Sequence, residues 1–144
     1  MKDNITLLDK AYENLSAAKI LLRQNSGDDL YCNIVAYLLQ QAIELSIKYQ
    51  FEQEGIKYPH EHDITILLQW GRKHGISAYV TGYIEDFSDM ISNWESKTRY
   101  ITNYLVELCR IQKALPEIEK SLDMCKENCK PFIGRDEQEE DFER

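Results

Sequence analysis

The chain is 144 residues long with a formal net charge of −8, 43% hydrophobic residues and 29% charged ones. A single domain of this size buries roughly 68–70% of its unfolded surface, enough to fold without disulfide or metal staples. The acidic balance excludes a general electrostatic grip on nucleic acid, which needs clustered Lys and Arg, and leaves at most a local basic patch at Arg72, Lys73 and His74.

The first predicted helix covers residues 6–24. Its apolar stripe is Leu8, Tyr12, Leu15, Ala18 and Leu22, and Thr6 with Asp9 forms a capping box. Asn25, Ser26 and Gly27 interrupt the pattern, and Ser26 with Asp29 starts a second helix, so these two are expected to pack as antiparallel neighbours. The second helix spans 28–55 around the sequence YLLQQAIELSIKY at 37–49. Tyr31, Val35, Leu38, Ala42, Leu45 and Tyr49 make one apolar face, while Ile34, Leu39, Ile43 and Ile47 cover much of the rest. A helix apolar over most of its circumference lies inside a bundle. Gln40, Gln41 and Glu44 interrupt it, and burying them costs free energy unless they are hydrogen-bonded.

Gly55 suits a left-handed helix end, and Tyr58 before Pro59 favours extended backbone. Asp63 caps a short third helix reaching about Lys73, with Ile64, Leu67 and Leu68 inward. Ser77 opens a fourth, carrying Val80, Tyr83, Ile84, Phe87, Met90, Ile91 and Trp94. The sequence ESKTRY at 95–100 reads as a polar break before the last helix. That helix carries Ile101, Tyr104, Leu105, Leu108, Ile111, Leu115, Ile118 and Leu122, with Pro116 predicting a kink rather than a stop because the stripe continues in phase. No period-two alternation persists. The expected fold is all-α, an up-and-down bundle of four long helices plus one short helix, occupying residues 1–130. From Pro131 on, six acidic residues accompany two arginines, and 131–144 is expected to be a disordered tail.

Of the four cysteines, Cys32 and Cys109 read as small core residues, and Cys125 and Cys129 share a helix face without a complete zinc set. All are expected to be reduced, in a cytoplasmic protein. No apolar run approaches the roughly eighteen residues of a membrane span, and the N-terminus lacks a charged segment followed by an apolar core. His60, His62 and Asp63, with His74 beyond, invite a metal reading, but no second carboxylate or cysteine stands at a telling distance. Capping by Asp63 is the simpler account, and neither a metal nor a cofactor is expected.

Three stretches in order resemble the HEPN domain family (higher eukaryotes and prokaryotes nucleotide-binding). The 37–49 helix is similar to the family's QAxExxxK helix, matched by Gln41, Ala42, Glu44 and Lys48. Gly55, Tyr58-Pro59, His62-Asp63-Ile64 and Leu67 look like the family's lead into its short helix, and the run from Trp94 through Arg99 to Tyr100 resembles its RYP junction. The resemblance extends to about residue 130. It implies a HEPN-like bundle of the nucleotidyltransferase substrate-binding-subunit type, commonly a homodimer. It also implies work beside a small nucleotidyltransferase in toxin–antitoxin or defence systems, with RNA or a nucleotide as possible ligand. Many members are metal-independent ribonucleases using an Arg-x(4–6)-His motif. Here Arg99 is present, no histidine follows His74, and Tyr104 stands where the shortest form of the motif would place one.

That replacement has chemical weight. Metal-free RNA cleavage needs a group that takes the 2′-hydroxyl proton and one that protonates the leaving oxygen, and a histidine of pKa about 6.5 does either. A tyrosine of pKa about 10 is protonated at neutral pH, and arginine carries protons poorly. The expectation is a non-catalytic, nucleotide-associated dimeric module, with its dimer face on the fourth and last helices. The alternative is a divergent ribonuclease acting through Arg99, Asn103 and Tyr104. Arg99 is read either as a phosphate contact in a cleft between subunits or as the partner of an acid such as Glu44 or Asp89. Gln41 and Glu44 either satisfy a loop backbone or line the same cleft. The aromatic set Tyr79, Tyr83, Phe87, Trp94, Tyr100 and Tyr104 is read as core or dimer interface before base-stacking.

Overall fold

The computed structural model describes residues 4–24 and 29–129. The predicted break at 25–27, the Ser26 start signal and the 131–144 tail lie outside the described residues. Six helices and no strand occur among them: α1 (Leu7–Gln24), α2 (Asp29–Gln53), α3 (Ile64–Lys73), α4 (Gly82–Asp86), α5 (Ser88–Tyr100) and α6 (Leu108–Asn128). The all-α bundle therefore stands, with α1, α2, α5 and α6 as its long members.

Local chemistry sets the helix ends. The Thr6 amide donates to Asp9 Oδ2 at 2.9 Å and the Asp9 amide to Thr6 Oγ1 at 3.1 Å, a reciprocal capping box. Asp63 Oδ1 accepts from the Ile66 amide at 3.2 Å and opens α3. The chain turns out of α2 and α3 through Gly55 and Gly75, at φ +70° and +78°, where a side chain would be strained. Ile56 N then reaches back to Phe51 O at 2.9 Å and Ile76 N to Gly71 O at 2.8 Å.

The core is built around α2, which packs against α1, α3, α5 and α6. Its Val35, Ala36, Leu39, Ala42, Ile43, Ile47 and Phe51 are inaccessible to solvent. Facing them are Leu15 and Ala18 of α1, Leu67 of α3, Ile91 and Trp94 of α5, and Ile111, Ile118 and Leu122 of α6. The 18 residues of α1 span about 27 Å, more than the 25–28 connection can cross. Packed helices so joined must be antiparallel, and Thr6, Leu8 and Asp9 duly share a surface groove with Tyr49 near the far end of α2. Tyr12 donates to Asp123 Oδ1 at 2.6 Å and Lys19 pairs with Glu119 at 2.7 Å, fastening α1 to α6. The last helix continues through Pro116, an exposed residue, so the missing amide falls on a solvated face.

Three predicted boundaries are corrected. The fourth helix does not begin at Ser77: Tyr79 N donates to Gln50 Oε1 at 2.8 Å and Thr81 N to Ser121 Oγ at 3.0 Å, so side chains of α2 and α6 take the amides that a helix would use. The helical part is then divided at Phe87 into α4 and α5. The ESKTRY segment is helix, not a break. Glu95 and Arg99 pair across one turn at 3.3 Å, and the Thr98 hydroxyl bonds back to the Trp94 carbonyl. The last helix begins at Leu108, not Ile101. Asn33 Nδ2 donates to the Tyr104 carbonyl at 2.7 Å and its Oδ1 accepts from Val106 N at 2.8 Å, holding this stretch out of the helix. Ile101 and Leu105, expected in a buried stripe, are exposed on it, and so is Cys109, expected in the core. Cys32, Cys125 and Cys129 are buried.

Candidate functional site

The polar residues on α2 build one network against the 57–63 segment. Glu44, 2% exposed, accepts from Lys48 Nζ at 2.8 Å and bonds His62 Nδ1 at 2.9 Å through Oε2. Its Oε1 accepts from Gln40 Nε2 at 3.0 Å, and the same amide donates to the His62 carbonyl at 2.9 Å. Gln41 Nε2 donates to Gln40 Oε1 at 2.7 Å. A buried carboxylate this fully bonded has its desolvation offset by a cation and several donors. Gln40, not Gln41, reaches the loop backbone, and neither Gln41 nor Glu44 lines the groove around Arg99.

That groove, about 260 Å³, is lined by Asn33, Ile34, Tyr37, Thr98 and Arg99, where the end of α5 crosses the first half of α2. Arg99 Nη1 donates to the Tyr37 hydroxyl at 3.2 Å and Nη2 to the Tyr100 hydroxyl. Its guanidinium carbon lies 4.9 Å from the Tyr100 ring centre and 5.5 Å from that of Tyr37. The hydroxyls of Tyr100 and Tyr37 push its pKa further up, so it remains a fixed cation. Its acidic partner is Glu95, not Glu44 or Asp89; Asp89 accepts instead from Thr65 Oγ1 at 2.7 Å.

Tyr104 is elsewhere. Its half-buried side chain lines a separate basin of about 520 Å³ with Asn93, Trp94 and Arg110. Burial raises the Tyr104 pKa, and Arg110 offsets this in part, so the phenol stays protonated at neutral pH. Asn103 is exposed in the turn between. Arg99, Asn103 and Tyr104 thus share a chain segment without sharing a cavity.

Of the aromatic set, Trp94 is core, Tyr79, Tyr83 and Tyr104 are half-buried, and Phe87 and Tyr100 are exposed. His60 and His62 have ring centres 6.4 Å apart, and His74 bonds the Trp70 carbonyl. Among the described residues, no three His, Cys, Asp or Glu side chains are grouped to hold a metal ion, and no helix is long and apolar enough to cross a membrane. Sequence reasoning missed Asn33, Tyr37, Asn93 and Arg110. Asn33 alone carried a signal, as a polar residue in the apolar run YCNIVAY.

Fold and site together define an all-helical bundle domain whose buried signature helix holds its own loops in place. The chain belongs to the HEPN domain family, whose profile matches residues 6–128. No curated protein and no solved structure matches it.

Proposed function

We propose that this HEPN domain is a non-catalytic dimeric module of the cytoplasm, nucleotide-associated or partnered with a small nucleotidyltransferase in a toxin–antitoxin or defence setting. The observation that carries the reading is the state of Arg99. Its Nη1 and Nη2 donate to Tyr37 and Tyr100, its charge faces Glu95, and no imidazole lines its groove. All three histidines of the chain are at 60, 62 and 74, and the tyrosine in the motif position opens into another basin. The residues lining the Arg99 groove therefore supply no histidine as the acid or base of RNA cleavage.

The dimer face is the apolar surface beside the Arg99 groove. Ile34, Tyr100 and Ile101 are exposed on α2, the end of α5 and the 101–107 segment, and Leu105, exposed as well, lines the neighbouring Tyr104 basin. Exposed large apolar side chains gathered at one place mark an association surface; of the fourth and last helices expected from sequence it takes in the end of α5, and it adds α2 and the segment before α6. Light scattering across a concentration series is expected to give a dimer; a clean monomer at high concentration would remove this part. Incubation with single-stranded and structured RNA is expected to leave both intact. Cleavage that disappears in Arg99→Ala would establish the ribonuclease alternative instead.

A further inference from the structure

The start of α1 meets the ends of α2 and α6 around a surface groove of about 260 Å³. Leu8, Tyr12, Tyr49, Lys126 and Cys129 line it, together with the Thr6–Asp9 capping box. The polar groups of this wall are engaged within the bundle. Asp9 Oδ2 takes the Thr6 amide, the Tyr12 hydroxyl donates to Asp123, and Lys126 Nζ lies 5.8 Å from the Tyr12 ring centre. What the groove offers an occupant is therefore largely ring and methyl surface, and Ile5, next to Thr6 in sequence, is exposed.

The chain itself supplies an occupant. Cys129 is both part of the wall and the last described residue, so the residues after it set out from within the groove. Its backbone, at φ −114° and ψ 96°, has already left the helix. The sequence continues Lys130, Pro131, Phe132, Ile133. Proline lacks the amide that would extend α6, and Phe132-Ile133 is the one adjacent pair of large apolar side chains in 130–144. Three residues reach up to about 10 Å, the scale of the spacing between packed helices. A tether that short gives the pair a high effective concentration at its own groove.

Charge favours the same path. After Gly134 and Arg135 come Asp136, Glu137, Glu139, Glu140 and Asp141, and Lys126 presents a cation that rests on a ring rather than a carboxylate. On the other side of Cys129, a groove of about 220 Å³ is lined by Gln50, Glu54, Ser77 and Tyr79. Its amide, carboxylate and hydroxyls suit an apolar pair poorly, and Glu54 repels the acidic run.

We propose that Phe132 and Ile133 dock into the groove of their own chain formed by Leu8, Tyr12 and Tyr49. The docked pair straps the end of α6 to the start of α1, covers the Cys129 thiol and leads the acidic run past Lys126. The strap involves neither the Arg99 groove nor the dimer face, so it can fail without the function proposed above, and the reverse.

Iodoacetamide labelling of the full chain, read cysteine by cysteine from peptide masses, tests the strap. Cys109 is exposed and serves as the internal reference. A covered thiol reacts only through local opening, so Phe132→Asp combined with Ile133→Asp is expected to speed Cys129 labelling by about fivefold or more and to leave Cys109 within about twofold. Phe142→Asp, outside the pair, should change neither. The substituted residues lie beyond the last helix, so circular dichroism is expected to give the same helix content. In a mixture of isotope-labelled and unlabelled chains, Overhauser contacts between the Phe132 ring and the Leu8 methyls are expected within one chain. Contacts between chains would give the groove to a second copy and overturn the proposal. Unchanged Cys129 labelling in the double variant, or a Phe132 ring without contact to the groove, would overturn it as well.

Discussion

Asn33 holds Tyr104 by its main chain, not its ring: the amide nitrogen donates to the Tyr104 carbonyl while the amide oxygen receives Val106 N. One side chain from α2 thereby keeps the segment before α6 extended and sets where that helix begins. Asn33→Ala removes both bonds and leaves a half-buried carbonyl and amide unpaired. A loss of about 2–3 kcal/mol is expected in urea unfolding. Asn33→Asp keeps the acceptor but not the donor, and does not restore the full stability. A change under about 0.5 kcal/mol for the alanine variant would mean that the segment is held by other contacts.

Glu44 is the charge on which the α2 network closes. Glu44→Ala leaves Lys48 buried without its counter-ion and is expected to cost about 3–5 kcal/mol. Removing both charges, as in Glu44→Ala with Lys48→Met, should cost less than the single change. If the two losses simply add, the pair is not coupled and the role assigned to Glu44 is wrong.

An alkaline limb in stability follows from three buried protons. Burial, aided by neighbouring Cys129, pushes the Cys125 thiol up to about 12, and burial pushes Tyr49 up to about 12 as well. Tyr12 moves in the same direction, through burial and its bond to Asp123. Each folded-state pKa lies above the unfolded one, so the contribution is complete below about pH 9. It is then lost as pH climbs toward the folded values, because the unfolded chain releases these protons first. Urea midpoints at pH 7, 9, 10 and 11 should hold steady and then fall. Cys125→Ser and Tyr12→Phe should each make the fall shallower.

Ile101→Glu and Leu105→Glu place charges on the exposed surface of the 101–107 segment, the second at the edge of the Tyr104 basin. Neither side chain contributes to the core, so circular dichroism is expected to give an unchanged helix content. Light scattering should nevertheless show the dimer giving way to monomer. Dimers that persist with both charges in place would move the association surface elsewhere.

Signals confined to a few neighbouring residues were readable in the sequence. The Thr6–Asp9 box, the Asp63 cap, the Gly55 stop and the apolar stripes each depend on a turn or two of chain. The boundaries that differed are decided from far away. Asn33 acts on Tyr104 across 71 positions, and Ser121 on Thr81 across 40. Periodicity carries no trace of such bonds, so Ile101 and Leu105 continued a stripe on paper that the fold does not use. Arg99 stood out by motif position, yet its partner Glu95 was available at the ordinary one-turn spacing and was passed over for residues on other helices. Arg110 drew no attention because only the fold turns it into the ridge between two cavities.

The same helix reaches three of the described connections. Gln40 takes the His62 carbonyl, Gln50 takes the Tyr79 amide, and Asn33 takes the Val106 amide. Loops normally exchange their amide hydrogens through small local openings, long before the core yields. Here the amides of Tyr79 and Val106 can be released only when α2 side chains let go. Both should therefore exchange on the slow timescale of α2 itself, so that these loop positions report the cooperative opening of the whole bundle.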